Sequence, residues 1–312
     1  MRRFSKLAAM AMAVLIGAPA SAEEWAPKGS LTLEIGFAAG GTTDVIGRVL
    51  AKVMEEQTGW NIVAENRTGG GGIAMLTGIA KRPPRGDVIG MGVNMPVLAK
   101  LATDPDTMAF ALDDLDYLGT VASTPIVIVA RKDAPFDDMR SMIDYSIENG
   151  PISIGFIALG QRLVMEKVAR ETGAKFNLVA GEGSSETMKL ILGGQVQAGF
   201  SSGEHFPFED AGDMKEIATT APERVSWAPD APTFIESGID IFFDPVFFIA
   251  TTKGTDPAAV AALSQALDAA VATDEVAEAV RNAIRNDPKN LGSEGARQMM
   301  LDGLENFIAL NN

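Results

Sequence analysis

Cysteine is absent from the 312-residue sequence, and histidine occurs once, as His205. Without cysteine the chain has no disulfide bond, no thiolate nucleophile and no sulfur ligand for a metal ion. With a single histidine it has no histidine pair to bind a metal ion, and few of the usual catalytic mechanisms can be assembled. We therefore expect no metal site, no cofactor and no enzymatic chemistry.

Basic residues are also scarce. The sequence has 26 lysine and arginine residues against 41 aspartate and glutamate residues, which gives a net charge of −15. Nucleic acids and anionic membrane surfaces are bound through a basic face, so we expect neither as a partner. A small anionic ligand is still compatible with this charge, because the backbone dipoles at a helix start act over short distances.

Long apolar runs are missing except near the N-terminus. The run from Leu7 to Ala18 follows basic residues, and an A-x-A pattern ends at Ala22. The run is too short to cross a membrane and has the features of a secretory signal peptide. We therefore predict a signal peptide at residues 1–22 and export of the mature chain across the inner membrane to the periplasm.

The rest of the chain alternates short β-rich runs with helical segments, which predicts an α/β fold. Predicted strands cover residues 31–37, 61–64, 88–93, 126–130, 152–156, 176–180 and 196–200. Nearer the C-terminus, Asp256 before Pro257 is typical of an N-cap followed by proline at the first helical position. A second helix start is predicted near Thr273.

No low-complexity linker interrupts this pattern, so we expect domains that are joined by ordered segments. A chain of this length usually divides into about two domains. The predicted crossings between them lie at residues 118–126 and 239–246. Domain one is predicted to comprise residues 23–123 plus 243–312, and domain two residues 124–242.

The segment from Phe37 to Asp44 is the candidate anion-binding loop. A strand runs into small residues, with Gly40 and Gly41 just before a helix. Glycines let a ligand approach the main chain, and the N–H groups and dipole at a helix start favour an anion. An ordinary strand-to-helix turn capped by threonine or aspartate is the alternative. Asp44 and Arg48 lie four residues apart and are expected to pair on the helix.

The same segment carries a family resemblance. The opening signature of the periplasmic solute receptors of tripartite tricarboxylate transporters, also called Bug-type receptors, is similar to Phe37-Ala38-Ala39-Gly40-Gly41-Thr42-Thr43-Asp44 followed by Arg48. Further likenesses follow in order along nearly the whole mature chain. They lie at residues 65–72, 193–196, 223–224 and 229–238.

The resemblance implies a two-domain α/β periplasmic binding protein of type II, a Venus flytrap with the ligand cleft between its domains. Members of the family capture small carboxylated solutes and hold them mainly through backbone amides and ordered water. They pass the solute to a membrane partner of one large and one small integral subunit. We therefore expect a monomeric receptor for a small carboxylate. A ligand sensor that feeds a signalling partner through the same cleft is an alternative.

The second-domain counterpart of the loop departs from the family pattern. Residues 155–162 are bulky and apolar where family members are usually rich in serine and glycine. Gly181 stands where a tyrosine is common, and Ser201 begins a pair where some members carry an aspartate that meets an amino group. These departures suggest a ligand that lacks an ammonium group and has an apolar middle or ring.

The predicted ligand-binding residues combine both loops with nearby strand ends. They are Phe37, Ala38, Ala39, Gly40, Gly41, Thr42, Thr43, Asp44, Asn94, Phe156, Ala158, Leu159, Gly160, Gln161, Arg162, Gly181 and Ser201. Two of them have plain alternatives, Arg162 as a solvated residue in the first turn of a helix and Asn94 as a turn residue. Phe247 and Phe248 are expected to include one residue of the cleft wall and one of the core.

One motif favours a different class of protein. Residues 199–203 match the G-x-S-x-G pattern of serine hydrolases, with Ser201 as the nucleophile. That mechanism needs a histidine base near the serine and an acid that orients it. The single histidine, His205, follows only four residues later. We therefore expect no hydrolase activity at Ser201.

Overall fold

The computed structural model describes residues 25–181 and 183–311, with side chains described up to Ile308. The signal peptide predicted at residues 1–22 lies outside the described residues. Within the described part of the chain, no helix is both long enough and apolar enough to cross a membrane.

Strands and helices alternate along the described chain, as predicted for an α/β fold. The strands are β1 Leu31–Ile35, β2 Ile62–Asn66, β3 Val88–Val93, β4 Leu115–Ser123, β5 Val127–Arg131, β6 Ile152–Phe156, β7 Phe176–Ala180, β8 Ala198–Ser201, β9 Met214–Thr219 and β10 Val246–Thr252. The helices are α1 Thr42–Thr58, α2 Ile73–Ala80, α3 Asn94–Thr103, α4 Met139–Asn149, α5 Leu159–Thr172, α6 Ser184–Leu192, α7 Phe206–Asp210, α8 Pro257–Val271, α9 Asp274–Ile284 and α10 Gly292–Asn311.

The strands form two sheets with the same plan. The first has the order β2-β1-β3-β10-β4, in which β1 pairs in parallel with β2 and β3 while β10 runs antiparallel to β3 and β4. The second has the order β7-β6-β8-β5-β9, in which β6 pairs in parallel with β7 and β8 while β5 runs antiparallel to β8 and β9. We call β1–β4 and β10 with helices α1–α3 and α8–α10 lobe one, and β5–β9 with helices α4–α7 lobe two.

The chain crosses between the lobes twice, after β4 and after β9. The two connections are hydrogen-bonded to each other. Thr124 N donates to Pro245 O at 2.7 Å, and Thr220 N donates to Ile126 O at 2.9 Å. The first crossing is shorter than predicted, because β4 continues through Ser123. The domain boundaries given above stay a prediction.

Helix α1 shows how the sequence positions the candidate loop. Its apolar residues Ile46, Leu50 and Val53 recur at helical spacing and are buried. The helix ends at Gly59, whose left-handed φ of 71° suits glycine. Because β1 ends at Ile35 and α1 packs back along the sheet, the residues between them must turn at the sheet edge.

Strands β4, β9 and β10 are not predicted by the sequence patterns. β10 is buried along its whole length, so it shows no alternation of apolar and polar residues. Its start falls in the segment that patterning assigns to a crossing. Phe247 and Phe248 both lie in this strand and are at most 2% exposed. Both side chains are therefore buried, and the expectation that one of them lines the cleft wall stays a prediction.

Candidate functional site

The carboxyl ends of the parallel strands of both lobes meet at one crevice. Thr42, which follows β1, donates from Oγ1 to Oε1 of Glu204, which follows β8, at 2.8 Å. Gly160, which follows β6, packs so closely on Met95 after β3 that an added Cβ would lie 3.1 Å from the Met95 Cγ. Ligands of open α/β sheets bind outside the carboxyl ends of the strands, so this crevice is the candidate site.

Asp44 stabilises the first crevice loop, residues 37–44, through hydrogen bonds. Its Oδ2 accepts a hydrogen bond from Gly40 N at 2.9 Å. Its Oδ1 accepts from Arg48 Nε at 2.8 Å and from Asn66 Nδ2 at 2.7 Å. Asn66 Nδ2 also donates to Phe37 O at 3.0 Å. The predicted pairing of Asp44 with Arg48 is confirmed, and the carboxylate is engaged within its own loop.

The pKa of the Asp44 carboxyl reflects two opposing effects. Burial raises this pKa, because the charged form loses contact with water. The hydrogen bonds from Gly40 and Asn66 and the charge of Arg48 outweigh burial, so the pKa lies below its ordinary value of 3.8. Asp44 is therefore ionised at neutral pH.

Gln161 stabilises the second crevice loop, residues 155–162, in the same way. Its side chain is buried, and its Oε1 accepts a hydrogen bond from Ile157 N at 2.8 Å. Around it, Phe156, Ala158 and Leu159 are each partly buried. This loop is therefore held by a neutral amide among apolar side chains, with no carboxylate in the corresponding place.

The two loops contain the same kind of hydrogen bond, which links the first turn of a helix to the residues before it. Asp44 and Gln161 each occupy the third position of their helix and accept from the N–H group four residues earlier. The N-cap residues are Gly41 and Ala158, whose side chains have no acceptor atom. The first-turn N–H groups of α1 and α5 are thus left without a side-chain cap at the crevice.

Helices that begin away from the crevice are capped by their own sequence. Asp138 caps α4, Asp256 caps α8 and Thr273 caps α9. Helices α4 and α8 follow antiparallel strands and so begin at the opposite edge of their sheets. Among the described helices that follow the parallel strands, α1, α2, α3, α5 and α6 have no side-chain cap. Uncapped helix starts are therefore concentrated at the crevice.

Two predicted site residues have partners within the protein. Asn94 is buried, with Oδ1 accepting from Val246 N at 2.9 Å and Nδ2 lying 3.1 Å from Met299 Sδ. Arg162 is about half exposed and pairs with Glu166 at 2.7 Å. The structure thus shows a structural use for each side chain, and contact of either with a ligand stays a prediction.

The other predicted residues differ in exposure. Residues 38–40 form the exposed tip of the first loop, whereas Thr43 is buried in α1. Gly181 lies just after β7, where its N–H group donates to Phe156 O at 2.8 Å. The part of the first loop that is open to solvent is therefore its tip and the adjoining N-cap.

The single histidine lies closer to Ser201 than the sequence suggests. His205 Nδ1 is 2.9 Å from Ser201 Oγ, and His205 Nε2 is 3.3 Å from Glu216 Oε1. However, Ser201 is 1% exposed and His205 is 0% exposed. The N–H groups of Ser202 and Gly203 already donate to neighbouring side chains. A serine hydrolase needs an accessible nucleophile and N–H donors for the oxyanion, so this arrangement is poorly suited to acyl transfer.

An acidic pair lies beside this histidine. His205, Glu209 and Glu216 each offer one atom that could coordinate a metal ion, and these three atoms lie within 4.8 Å of one another. Arg285 of lobe one donates to Glu209 at 3.1 Å and already supplies a positive charge. Burial and the charge of Glu216 raise the pKa of Glu209 to about 7. Arg285, which also pairs with Asp210 at 2.8 Å, therefore offsets part of the negative charge of this group.

Two residues of the crevice, Asn66 and Glu204, are not among the binding residues predicted from the sequence. Asn66 reaches the first loop only because β1 and β2 pair. Glu204 reaches Thr42 across 162 residues of sequence. Neither contact has a local sequence signal, although Asn66 falls within one of the stretches that carry the family resemblance.

The family comparison agrees with this geometry. A family model described as "Tripartite tricarboxylate transporter family receptor" matches residues 46–306. The chain belongs to this family. The predicted family is thereby confirmed, and it is a family of solute receptors rather than of enzymes.

Individual relatives of this receptor extend the match. Protein BugT of Bordetella pertussis is 29% identical over 273 residues, which cover 85% of this chain and 82% of BugT. The structure of MatC from Rhodopseudomonas palustris with bound malate has a TM-score of 0.80 at 21% identity, covering 92% of the receptor and 100% of MatC. An R. palustris protein with adipate has a TM-score of 0.77 at 24% identity, covering 91% of the receptor and 95% of that protein. The predicted binding-protein fold is confirmed.

Proposed function

We propose that this receptor binds a small carboxylate in the crevice and delivers it to a transporter with one large and one small integral membrane subunit. The observation that carries the proposal is the pair of helix starts at the crevice. Helix α1 of lobe one and α5 of lobe two both begin there, with no side-chain cap among the described residues. The N–H groups and the dipole at such helix starts favour an anion.

The ligand contacts are assigned to the first turns of the two helices. The N–H groups of Gly40 and Ile157 already donate within their own loops. The available donors are the N–H groups of residues 42–44 and 159–161, which follow the N-cap of each helix. Backbone donors suit an acidic receptor, because they hold an anion without a cluster of arginines.

Two structural neighbours support the class of ligand, since one holds malate and the other adipate. Both are dicarboxylates, and one helix start on each lobe offers one place for each acid group. A ligand that contacts both lobes only when the crevice is closed shifts the receptor toward the closed form. A membrane partner that recognises the closed form then receives loaded receptors in preference to empty ones.

The proposed location is the periplasm, after cleavage of the predicted signal peptide. Membership of a transporter receptor family and the sequence of residues 1–22 support this location. N-terminal sequencing of the protein from a periplasmic fraction tests it. A mature chain that begins at Glu23 is the expected result, and a chain that keeps Met1 in the cytoplasmic fraction contradicts it.

The binding site is tested with a valine substitution at Gly41. The backbone of Gly41 is extended, with φ −83° and ψ 168°, which valine adopts readily, and an added Cβ would lie 3.4 Å from Ala38 O. The added side chain would nevertheless fill the approach to the first turn of α1. Gly29→Val is the matched control, because an added Cβ at Gly29 meets nothing within 4 Å and this residue lies before β1, away from the crevice.

Thermal unfolding of the mature protein in the presence of a carboxylate panel is the readout. A ligand at 100 times its dissociation constant stabilises the folded state by about 2.7 kcal/mol. We expect the parent and Gly29→Val to show this shift with the same carboxylate, and Gly41→Val to melt normally but show no shift. If Gly41→Val binds as tightly as the parent, the first turn of α1 is not the site. If no carboxylate shifts the parent, the proposed ligand class is wrong.

A further inference from the structure

Glu204 places a carboxylate of lobe two against the start of α1 in lobe one. Its Oε1 accepts a hydrogen bond from Thr42 Oγ1 at 2.8 Å, and Thr42 is the first residue of α1. Its Oε2 accepts from Ser202 N at 3.2 Å, and this bond fixes the side chain to its own lobe. The carboxylate therefore lies beside the N–H groups that are assigned above to the ligand.

The charge of Glu204 is not neutralised by its described partners. Each described hydrogen bond to its carboxylate comes from a neutral group, the hydroxyls of Thr42 and Ser201 and the backbone N–H group of Ser202. The neighbouring Arg48 is committed to Asp44. Glu204 thus differs from Asp44, which has its own guanidinium.

A ligand carboxylate at the first turn of α1 would lie close to this fixed negative charge. Two like charges a few ångströms apart repel strongly in a site that excludes water. The repulsion is replaced by attraction when the ligand carries a hydrogen-bond donor on the carbon next to its acid group. Such a donor lies between the ligand carboxylate and Glu204 and forms a charge-assisted hydrogen bond.

We propose that Glu204 makes this receptor select carboxylates with a hydroxyl or ammonium group next to the acid group over the corresponding plain carboxylates. This inference rests on the proposed function and adds a substrate class to it. It also gives an alternative to the sequence-based hypothesis of a ligand without an ammonium group. That hypothesis considers Ser201, whereas the carboxylate that faces α1 belongs to Glu204.

The test is calorimetric titration of the mature protein with matched probes at neutral pH. Three scaffolds are used, each as the plain, hydroxy and amino compound. They are succinate, malate and aspartate; glutarate, 2-hydroxyglutarate and glutamate; and phenylpropionate, phenyllactate and phenylalanine. In the scaffold that fits the crevice, we expect the hydroxy or amino member to bind about tenfold tighter than the plain acid, as one charge-assisted hydrogen bond implies.

Glu204→Gln removes the charge while keeping the shape and an oxygen acceptor for Thr42. We expect the plain acid to gain affinity in this variant and the preference to fall to less than about threefold. An ammonium ligand should lose more affinity than a hydroxyl ligand, which distinguishes the two donors. Glu171→Gln is the matched control, because it makes the same change of net charge at the far end of α5, where Glu171 pairs with Lys167.

The outcomes separate this inference from the proposed function. If carboxylates bind but Glu204→Gln keeps the parent's preference, or if the parent prefers the plain acids, the role of Glu204 is refuted and the proposed function stands. If Glu171→Gln changes the preference as much as Glu204→Gln does, the preference arises from the net charge of the protein, and the specific role of Glu204 is refuted. If no probe binds either protein at millimolar concentration, the proposed ligand class itself fails. Melting of the ligand-free variants confirms that they are folded.

Discussion

The two crevice loops share one backbone plan but differ in charge. In lobe one, the ionised Asp44 holds the loop and is matched by Arg48. In lobe two, the neutral Gln161 makes the corresponding bond to Ile157 N. A carboxylate in the first turn offsets part of the positive end of its helix, whereas an amide leaves it unchanged. The first turn of α1 therefore contains a carboxylate that is paired with Arg48, whereas the first turn of α5 contains no carboxylate.

This difference makes the two ends of the crevice unequal for a bound ligand. The start of α1 is shared with two carboxylates, Asp44 within the lobe and Glu204 across the crevice. The first turn of α5 contains no acidic residue. Under the proposals above, a plain acid group binds best at α5, and the end of the ligand that carries a donor binds best at α1.

The largest expected effect on stability comes from removing the Asp44 carboxylate from the first crevice loop. Asp44→Ala leaves Gly40 N, the Asn66 amide and Arg48 without their acceptor. We expect the free energy of unfolding to fall by about 3 kcal/mol, somewhat less than for a fully buried pair because Arg48 is half exposed. Urea denaturation measures the loss. Asp44→Asn keeps one acceptor and should lose less, and a loss below about 1 kcal/mol for Asp44→Ala would contradict this account.

A smaller loss of stability is expected when the Gln161 amide is removed from the second crevice loop. Gln161→Ala removes one uncharged acceptor and leaves Ile157 N unpaired, so we expect a loss of about 1–2 kcal/mol in the same denaturation experiment. Arg162→Ala, one residue further along, removes only an exposed pair and should change the stability by about 0.5 kcal/mol or less. A loss for Gln161→Ala as large as that for Asp44→Ala would remove the contrast between the loops.

The smallest effect is a difference in response to acid. Because the pKa of Asp44 is lowered in the folded protein, its contribution to stability is complete above 3.8 and is lost as the pH falls through the lower folded-state value. Gln161 does not titrate. We therefore expect protection of the Gly40 N–H group against hydrogen exchange to decrease below a pH of about 4, while protection of Ile157 N–H stays constant.

Asp44→Asn provides the control for this experiment, because it removes the titrating group but keeps the loop. In that variant the protection of Gly40 should be independent of pH over the same range. Equal losses of protection at Gly40 and Ile157 in the parent would instead indicate general opening of the crevice or of the whole protein.

Local patterns predict the α/β fold and the first loop well. Strand β3, strand β6, strand β7 and the start of α8 are predicted with their observed bounds. The pairing of Asp44 with Arg48 follows from a spacing of four residues on a helix. These features depend on contacts between residues that are close in sequence, which is why the sequence alone is sufficient to predict them.

The rest depends on contacts between distant residues. β10 has no alternating pattern, because it is covered on both faces and pairs with β3 and β4. Glu204 becomes a crevice residue only when the two sheets come together. The reach of Gln161 back to Ile157 N depends on the side-chain conformation at a buried helix start. No property of a single segment determines any of these three.

The position of β10 also affects the order in which the protein can be assembled. This strand lies between β3 and β4, yet it follows the whole of lobe two in the chain. During synthesis the strands of the second sheet, from β5 to β9, are complete while the first sheet still lacks a central strand. Such distant pairing is slow, and unpaired strand edges invite aggregation. Lobe one therefore stays unfinished, with two open edges, until nearly all of the polypeptide has been made.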